Sequence, residues 1–122
     1  MVKAVRGAVV ARENTKSAIF EATQTLLGSM LEKNQLSVGC VISVFITATA
    51  DLNAEFPAFA AREMGWTRVP MLCAQEIRVP NSMTGVIRAL MHVDVEDGAR
   101  ELRHQYLGET RKLRPDLSEE GE

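Results

Sequence analysis

The chain has 122 residues, of which 46% are hydrophobic and 25% charged, as expected for one globular domain rather than a disordered chain. Its formal net charge of −2 makes nucleic acid a poor candidate partner. No apolar run approaches the roughly 18 residues of a membrane span, and Lys3 and Arg6 interrupt the first apolar stretch, unlike in a secretory signal. We therefore expect a cytoplasmic protein that binds neither a membrane nor nucleic acid.

The first half of the chain predicts two strands separated by a long helix. Residues 2–11 are short-branched and mostly apolar, which is typical of a strand. Apolar residues then recur at helical spacing from Thr15 to Lys33, and Asn14 or Thr15 can cap the first turn. Residues 40–49 form a nearly continuous β-branched run, which predicts a strand covered on both faces.

The second half predicts a short helix and two further strands. Pro57 favours the first turn of a helix over residues 58–64. Residues 67–79 mix apolar and charged types around a proline, which indicates a short strand and an irregular segment. Residues 86–95 form another strong strand, and residues 96–107 have some helical character.

This order of elements predicts an α+β fold, α/β-like in its alternation of strands and helices, with one principal sheet. We find no internal repeat and no low-complexity linker, so residues 1–117 are expected to form a single domain. Residues 118–122 are polar and are expected to form a loose tail.

Two arginines interrupt otherwise apolar strand faces. If side chains alternate, Arg6 and Arg88 each share a face with mostly apolar neighbours. A guanidinium there is costly unless it meets an anion or several acceptors. One interpretation is a structural ion pair with Glu76 or Glu63, and another is an edge strand whose arginine reaches solvent. The third is a pocket for an anionic ligand, which the presence of two such arginines favours.

Other reactive side chains form no recognisable catalytic motif. Cys40 and Cys73 lack any spacing for zinc or a disulfide framework, and both are interpreted as half-buried core residues. His92 is expected in the core and His104 at the surface. We therefore expect no metal and no cofactor. The remaining arginines, glutamate and tyrosine suit the binding of a small polycarboxylate.

Six strings, in their order along the chain, resemble the short monofunctional chorismate mutases of the AroH type: VRGA, DLNAEFPAFAAREMGW, VPMLCAQE, VIRALMHV, RHQYL and LRPDL. The resemblance runs from about Val2 to Leu117. It implies a homotrimeric pseudo α/β barrel, with one mixed sheet per subunit packed with one long and one or two short helices. Its sites would lie between subunits and would catalyse the Claisen rearrangement of chorismate to prephenate.

The resemblance also assigns roles to individual residues. Arg6 matches the family's carboxylate-binding arginine, and Arg88 matches the arginine beside the ether oxygen. Glu76 matches the glutamate that supports this arginine and meets the substrate hydroxyl, with Cys73 as its neighbour. Tyr106 matches a carboxylate partner. These residues would restrain a flexible substrate in its compact shape and meet the charge that builds on the ether oxygen.

Further positions match the pocket wall, its mouth and the segment expected to order on ligand binding: Phe56, Ala58, Met71, Leu72, Arg62, Leu113 and Arg114. Two positions depart from the family pattern. Phe59 stands where the family often has lysine, and Met71-Leu72 replaces a pair that often includes threonine. Both departures concern the wall or entrance, so they bear on substrate affinity and entry.

Two other functions remain open from the sequence. Trimeric imine-deaminating proteins of related architecture also hold carboxylates with a strand arginine at a subunit cleft. A non-enzymatic module that binds a small carboxylate would retain the same pocket without turnover. Conversion of chorismate to prephenate distinguishes both from a chorismate mutase.

Overall fold

A computed structural model of the chain describes residues 1–116, so the tail predicted over 118–122 lies outside the described residues. Five strands, two α-helices and two 3₁₀ turns follow in chain order: β1 (Val2–Val10), α1 (Lys16–Glu32), a turn (Val38–Cys40), β2 (Val41–Ala48), α2 (Pro57–Glu63), β3 (Met71–Gln75), β4 (Val86–Asp94), β5 (Gln105–Tyr106) and a turn (Gly108–Lys112). Neither α-helix of this part is long and apolar enough to cross a membrane.

The strands form one mixed sheet in the order β3-β2-β4-β1-β5. The three central strands are antiparallel neighbours, whereas β3 runs parallel to β2 and β5 parallel to β1. The predicted α+β class, with one mixed sheet, one long helix and one short helix, is confirmed.

Helix α1 begins where Thr15 accepts a hydrogen bond from the Ala18 N–H, so one of the two predicted caps is confirmed. The helix lies very close to β1. A Cβ atom on Gly7 would lie 2.8 Å from Leu26 Cδ1 and 2.7 Å from the Gln105 carbonyl oxygen. Glycine therefore lets α1 and β5 approach the first strand.

The two faces of the sheet differ in what covers them. Both helices contribute to the core cluster that buries the odd-numbered face of β4, including Ile87 and Met91. On the other face Phe45 remains 45% exposed and Leu72 65% exposed. The expectation that β2 is covered on both faces is therefore wrong within the described chain, because both helices pack on the same side.

The helical character expected over 96–107 is also wrong. The Asp97 carboxylate accepts a hydrogen bond from the Ala99 N–H, which closes a local turn instead of a helix. The chain then extends so that Gln105 and Tyr106 pair with Gly7 and Ala8 as β5. Pairing across the sheet replaces the helix that the local pattern favours.

Candidate active site

Arg88 is held on the uncovered face of the sheet by Glu76. Arg88 Nε donates to Glu76 Oε2 over 2.9 Å, and the hydroxyl of Thr47 donates to the same oxygen over 2.9 Å. The backbone fixes this arrangement, because Thr47 lies opposite Arg88 in the ladder and the Glu76 N–H donates to the Ala48 carbonyl. Of the two carboxylates considered for an ion pair, Glu76 is the partner of Arg88.

This ion pair leaves much of the guanidinium free. Only Nε of Arg88 is used, and among residues 1–116 neither terminal nitrogen has a hydrogen-bond partner. The Arg88 side chain is 37% exposed, whereas that of Glu76 is 15% exposed. A carboxylate that grips one edge of a guanidinium fixes its orientation and leaves the other donors for a ligand.

Arg6 shares the face of Arg88 on the neighbouring strand. Arg6 lies opposite Leu90 and Ala8 lies opposite Arg88, so the arginines are diagonal neighbours, with Cα atoms about 7–8 Å apart. No carboxylate of residues 1–116 lies within salt-bridge distance of the Arg6 guanidinium. Two cations this close on a half-buried face favour an anion that bridges them.

Strand β5 and the following turn complete this surface. Tyr106 is 2% exposed and packs in a small cluster with Ala8 and Val86, against which Leu113 also packs. Arg114 grips Asp116 through two hydrogen bonds of 3.0 and 2.8 Å. The hydrogen bonds to Asp116 raise the pKa of Arg114. We call Arg6, Glu76, Arg88 and Tyr106 the arginine group.

A second set of predicted residues lies around the β3 edge of the sheet, where Cys73 faces the helix-covered side and Glu76 the uncovered side. Phe56 and Cys73 line a cavity of about 430 Å³, and Ala58 lies in the first turn of α2, directly after Pro57 of the same lining. Burial raises the pKa of Cys73, so its thiol is neutral at pH 7 and is not primed as a nucleophile. We call Phe56, Ala58 and Cys73 the cysteine group.

The remaining wall and mouth residues lie beside this cavity or behind it. The rings of Phe56 and Phe59 are 5.5 Å apart, and the guanidinium of Arg62 lies 4.8 Å from the centre of the Phe59 ring. Met71 packs against the main core, whereas Leu72 points to the uncovered face of the sheet. The Met71-Leu72 pair therefore contributes one side chain to each face.

The two groups cannot bind one small ligand within a single chain. Cys73 lies opposite Ile46, a core residue of the helix-covered face, whereas Arg88 and Arg6 lie on the uncovered face. Strand β3 is also separated from β1 by two intervening strands, about 14 Å across the sheet. The predicted site residues are thus divided into two halves.

Comparison with known proteins decides the family. The sequence profile described as "Chorismate mutase type I" matches residues 2–117. The chain belongs to the type I chorismate mutase family. The chorismate mutase AroH of Thermus thermophilus is 45% identical over 118 residues, covering 96% of this chain and 97% of that protein. That of Bacillus subtilis is 38% identical over 119 residues, covering 97% of this chain and 94% of that protein.

A solved chorismate mutase from Clostridium thermocellum has the same fold, with a TM-score of 0.86 and 43% sequence identity. The match covers 90% of this chain and 98% of that one. The resemblance carried by the six sequence strings is therefore confirmed.

The structure adds two residues to the site that sequence reasoning missed. Thr47 supports Glu76, and its signal was a polar side chain on the same strand face as Phe45. His104 was expected at the surface but is half-buried, and its Nδ1 accepts a hydrogen bond from the Arg6 N–H over 3.0 Å. Sequence alone does not show this contact, because it depends on the short pairing of β5 with β1.

The type I chorismate mutase described here contains no arrangement for metal binding in residues 1–116. No group of three or more His, Cys, Asp or Glu side chains lies close enough there to hold a metal ion.

We expect His104 to make stability depend on pH. Burial, followed by the charges of Arg6 and Arg114, lowers the pKa of His104 from its ordinary value of 6.5. The unfolded chain therefore binds the proton more readily. The free energy of unfolding is therefore unaffected by the titration of His104 above pH 6.5. It declines as the pH falls from 6.5 through the lowered pKa of the folded state, because the proton binds preferentially to the unfolded chain.

Urea unfolding at pH 7 and pH 5 measures this effect. The variant His104→Asn keeps an acceptor for the Arg6 N–H but does not titrate, so we expect it to lose less stability over this range than the parent. Equal losses in the two proteins would contradict the assignment.

Proposed function

We propose that the chain catalyses the rearrangement of chorismate to prephenate at sites where the arginine group of one subunit meets the cysteine group of another. Membership of the type I chorismate mutase family supports the activity. The observation that carries the mechanism is the Arg88 guanidinium, which Glu76 orients through Nε while the terminal nitrogens remain open.

The reaction requires neither an acid, a base nor a nucleophile. In a Claisen rearrangement the carbon–oxygen ether bond breaks while a carbon–carbon bond forms within the same molecule, and no proton is transferred. The barrier falls when the substrate is held in a compact, chair-like shape and when negative charge on the ether oxygen is stabilised. A neutral Cys73 thiol is compatible with this chemistry.

In this mechanism Arg88 donates hydrogen bonds to the ether oxygen. Because Glu76 and Thr47 fix its guanidinium before the substrate arrives, little reorganisation is needed as charge develops. Only the part of the attraction that grows in the transition state accelerates the reaction. A rigid cation in a site from which the ligand displaces water meets this requirement.

Arg6 and Tyr106 hold the substrate carboxylates. Arg6 forms no salt bridge within the described chain, although its charge helps to lower the pKa of Asp116, so its fork of donors can bind an anion at two points. The Tyr106 ring is fixed by packing against Ala8 and Val86. Arg114 would add a positive charge near the same carboxylates if a substrate carboxylate replaced Asp116 as its partner.

We propose a homotrimer as the functional assembly. Two observations support association: the site residues are divided between opposite faces of one chain, and Phe45 and Leu72 form part of an uncovered apolar sheet face. A second copy covers this face and supplies the missing half-site. The number three follows from the resemblance to the AroH-type enzymes. We further propose a cytoplasmic location and a single domain over residues 1–117.

The experiment that tests the activity is incubation of the purified protein with chorismate, followed by ultraviolet absorbance and by identification of prephenate. Saturable conversion well above the uncatalysed rate is expected. Binding of chorismate without turnover would indicate a carboxylate-binding module. Release of ammonia from an imine substrate, without prephenate formation, would indicate a deaminase.

A further inference from the structure

One face of α2 carries a stack that neither the core nor the arginine group explains. Phe56, Phe59 and Arg62 follow one another at a spacing of three residues, which places them on the same side of a helix. The Phe56 and Phe59 rings are 5.5 Å apart, and the Arg62 guanidinium lies 4.8 Å from the Phe59 ring centre.

The Phe59 ring is the contact that positions the Arg62 guanidinium. Among residues 1–116 no carboxylate forms a salt bridge with Arg62, so only the π-face of Phe59 restrains its charged end. Helical side chains lean toward the N-terminus of their helix. Arg62 therefore leans toward Phe56, which lines the cavity of the cysteine group.

This cavity has no cation of its own. Of the side chains that line it, only Glu55 is charged, and a carboxylate repels an anionic ligand. A dicarboxylate that enters here must be attracted by a cation outside the lining. Arg62, held over the ring next to Phe56, is placed to supply that charge.

We propose that Phe59 is a positioning residue that holds Arg62 at the cavity entrance, where the guanidinium attracts a dicarboxylate substrate. This inference rests on the proposed function, because it assigns the entrance of the same site. The contact itself can be tested without turnover.

The first test measures the position of the guanidinium directly. A proton above an aromatic ring experiences a ring-current shift, so the Nε–H signal of Arg62 in an NMR spectrum reports the stack. We expect this signal to move toward the value for a free arginine in Phe59→Leu and to stay shifted in Phe59→Trp. An unchanged signal in Phe59→Leu would overturn the proposal, whether or not the protein converts chorismate.

The second test is a double-mutant cycle on kcat/KM. We expect Arg62→Gln to lower kcat/KM about tenfold in the parent and only about threefold in Phe59→Leu, mainly through KM, since an exposed cation–π contact contributes a factor of about two to five. In Phe59→Trp the larger effect should return. These losses should shrink at high ionic strength, because the attraction is electrostatic.

The matched control removes the cation of a different cation–π contact. Lys16 Nζ lies 5.4 Å from the centre of the Phe20 ring on α1, and neither residue lines the cavity of the cysteine group, so Lys16→Gln should leave kcat/KM unchanged. Thermal unfolding of each variant confirms that the fold is kept. Equal effects of Arg62→Gln in the parent and in Phe59→Leu would overturn the positioning role, whereas a parent that does not form prephenate would overturn the proposed function.

Discussion

Replacing Arg88 by glutamine should lower kcat by about a hundred- to a thousandfold while KM changes far less, by analogy with the loss of one preorganised donor at a developing negative charge. Glutamine keeps a polar side chain of similar reach but removes the positive charge. Glu76 loses its cationic partner in this variant and keeps the Thr47 hydroxyl, so thermal unfolding must accompany the kinetics. The measurement is steady-state conversion of chorismate over a range of concentrations.

The control for this prediction removes an arginine whose ion pairs lie on the surface. Arg12 lies 3.4 Å from Glu13 and 3.6 Å from Glu21, and all three side chains are more than half exposed. Arg12→Gln should therefore leave kcat within experimental error. A kcat of Arg88→Gln within tenfold of the parent would remove Arg88 from the role assigned to it.

Mixing two inactive variants should restore about a quarter of the parent activity if the proposed trimer forms. With equal amounts and random exchange of subunits, one interface in four combines an intact arginine group with an intact cysteine group. Arg88→Gln disables the arginine group, and Cys73→Trp fills the cavity beside Phe56. Each variant alone has every site damaged. After subunit exchange, an interface is intact when the Cys73→Trp subunit supplies its arginine group and the Arg88→Gln subunit supplies its cysteine group.

Two controls accompany the mixing experiment. Each variant must retain the parent's oligomeric mass and cooperative unfolding, since tryptophan at a half-buried strand position can strain the packing. Mixing without subunit exchange must give no recovery. If exchanged mixtures remain inactive while both variants stay folded and oligomeric, the site is not shared between subunits.

The sequence was sufficient for most of the fold because periodicity carries that information. The apolar run of residues 86–95 predicts a strand and the helical spacing after Thr15 predicts a helix, and both elements are confirmed. The prediction failed over 96–107, where local helical character is overridden by the pairing of two residues with β1. A two-residue strand has no periodicity to recognise.

The site was only partly predictable for a related reason. An arginine on an apolar strand face is visible in the sequence, so Arg6 and Arg88 could be singled out and the resemblance could assign them roles. The contacts of Thr47 with Glu76 and of His104 with the Arg6 N–H join distant segments through strand register. Neither register nor the division of the site into two halves can be obtained from local pattern.

The most direct measurement of the central claim compares affinities for ground-state and transition-state ligands. The dissociation constants of the parent and of Arg88→Gln are measured for prephenate and for a rigid bicyclic ether dicarboxylate that mimics the compact transition state. We expect the substitution to weaken the bicyclic ether by about a hundredfold or more and prephenate by less than about tenfold. Equal weakening of the two ligands, or no weakening of the bicyclic ether, would show that Arg88 does not stabilise the transition state selectively.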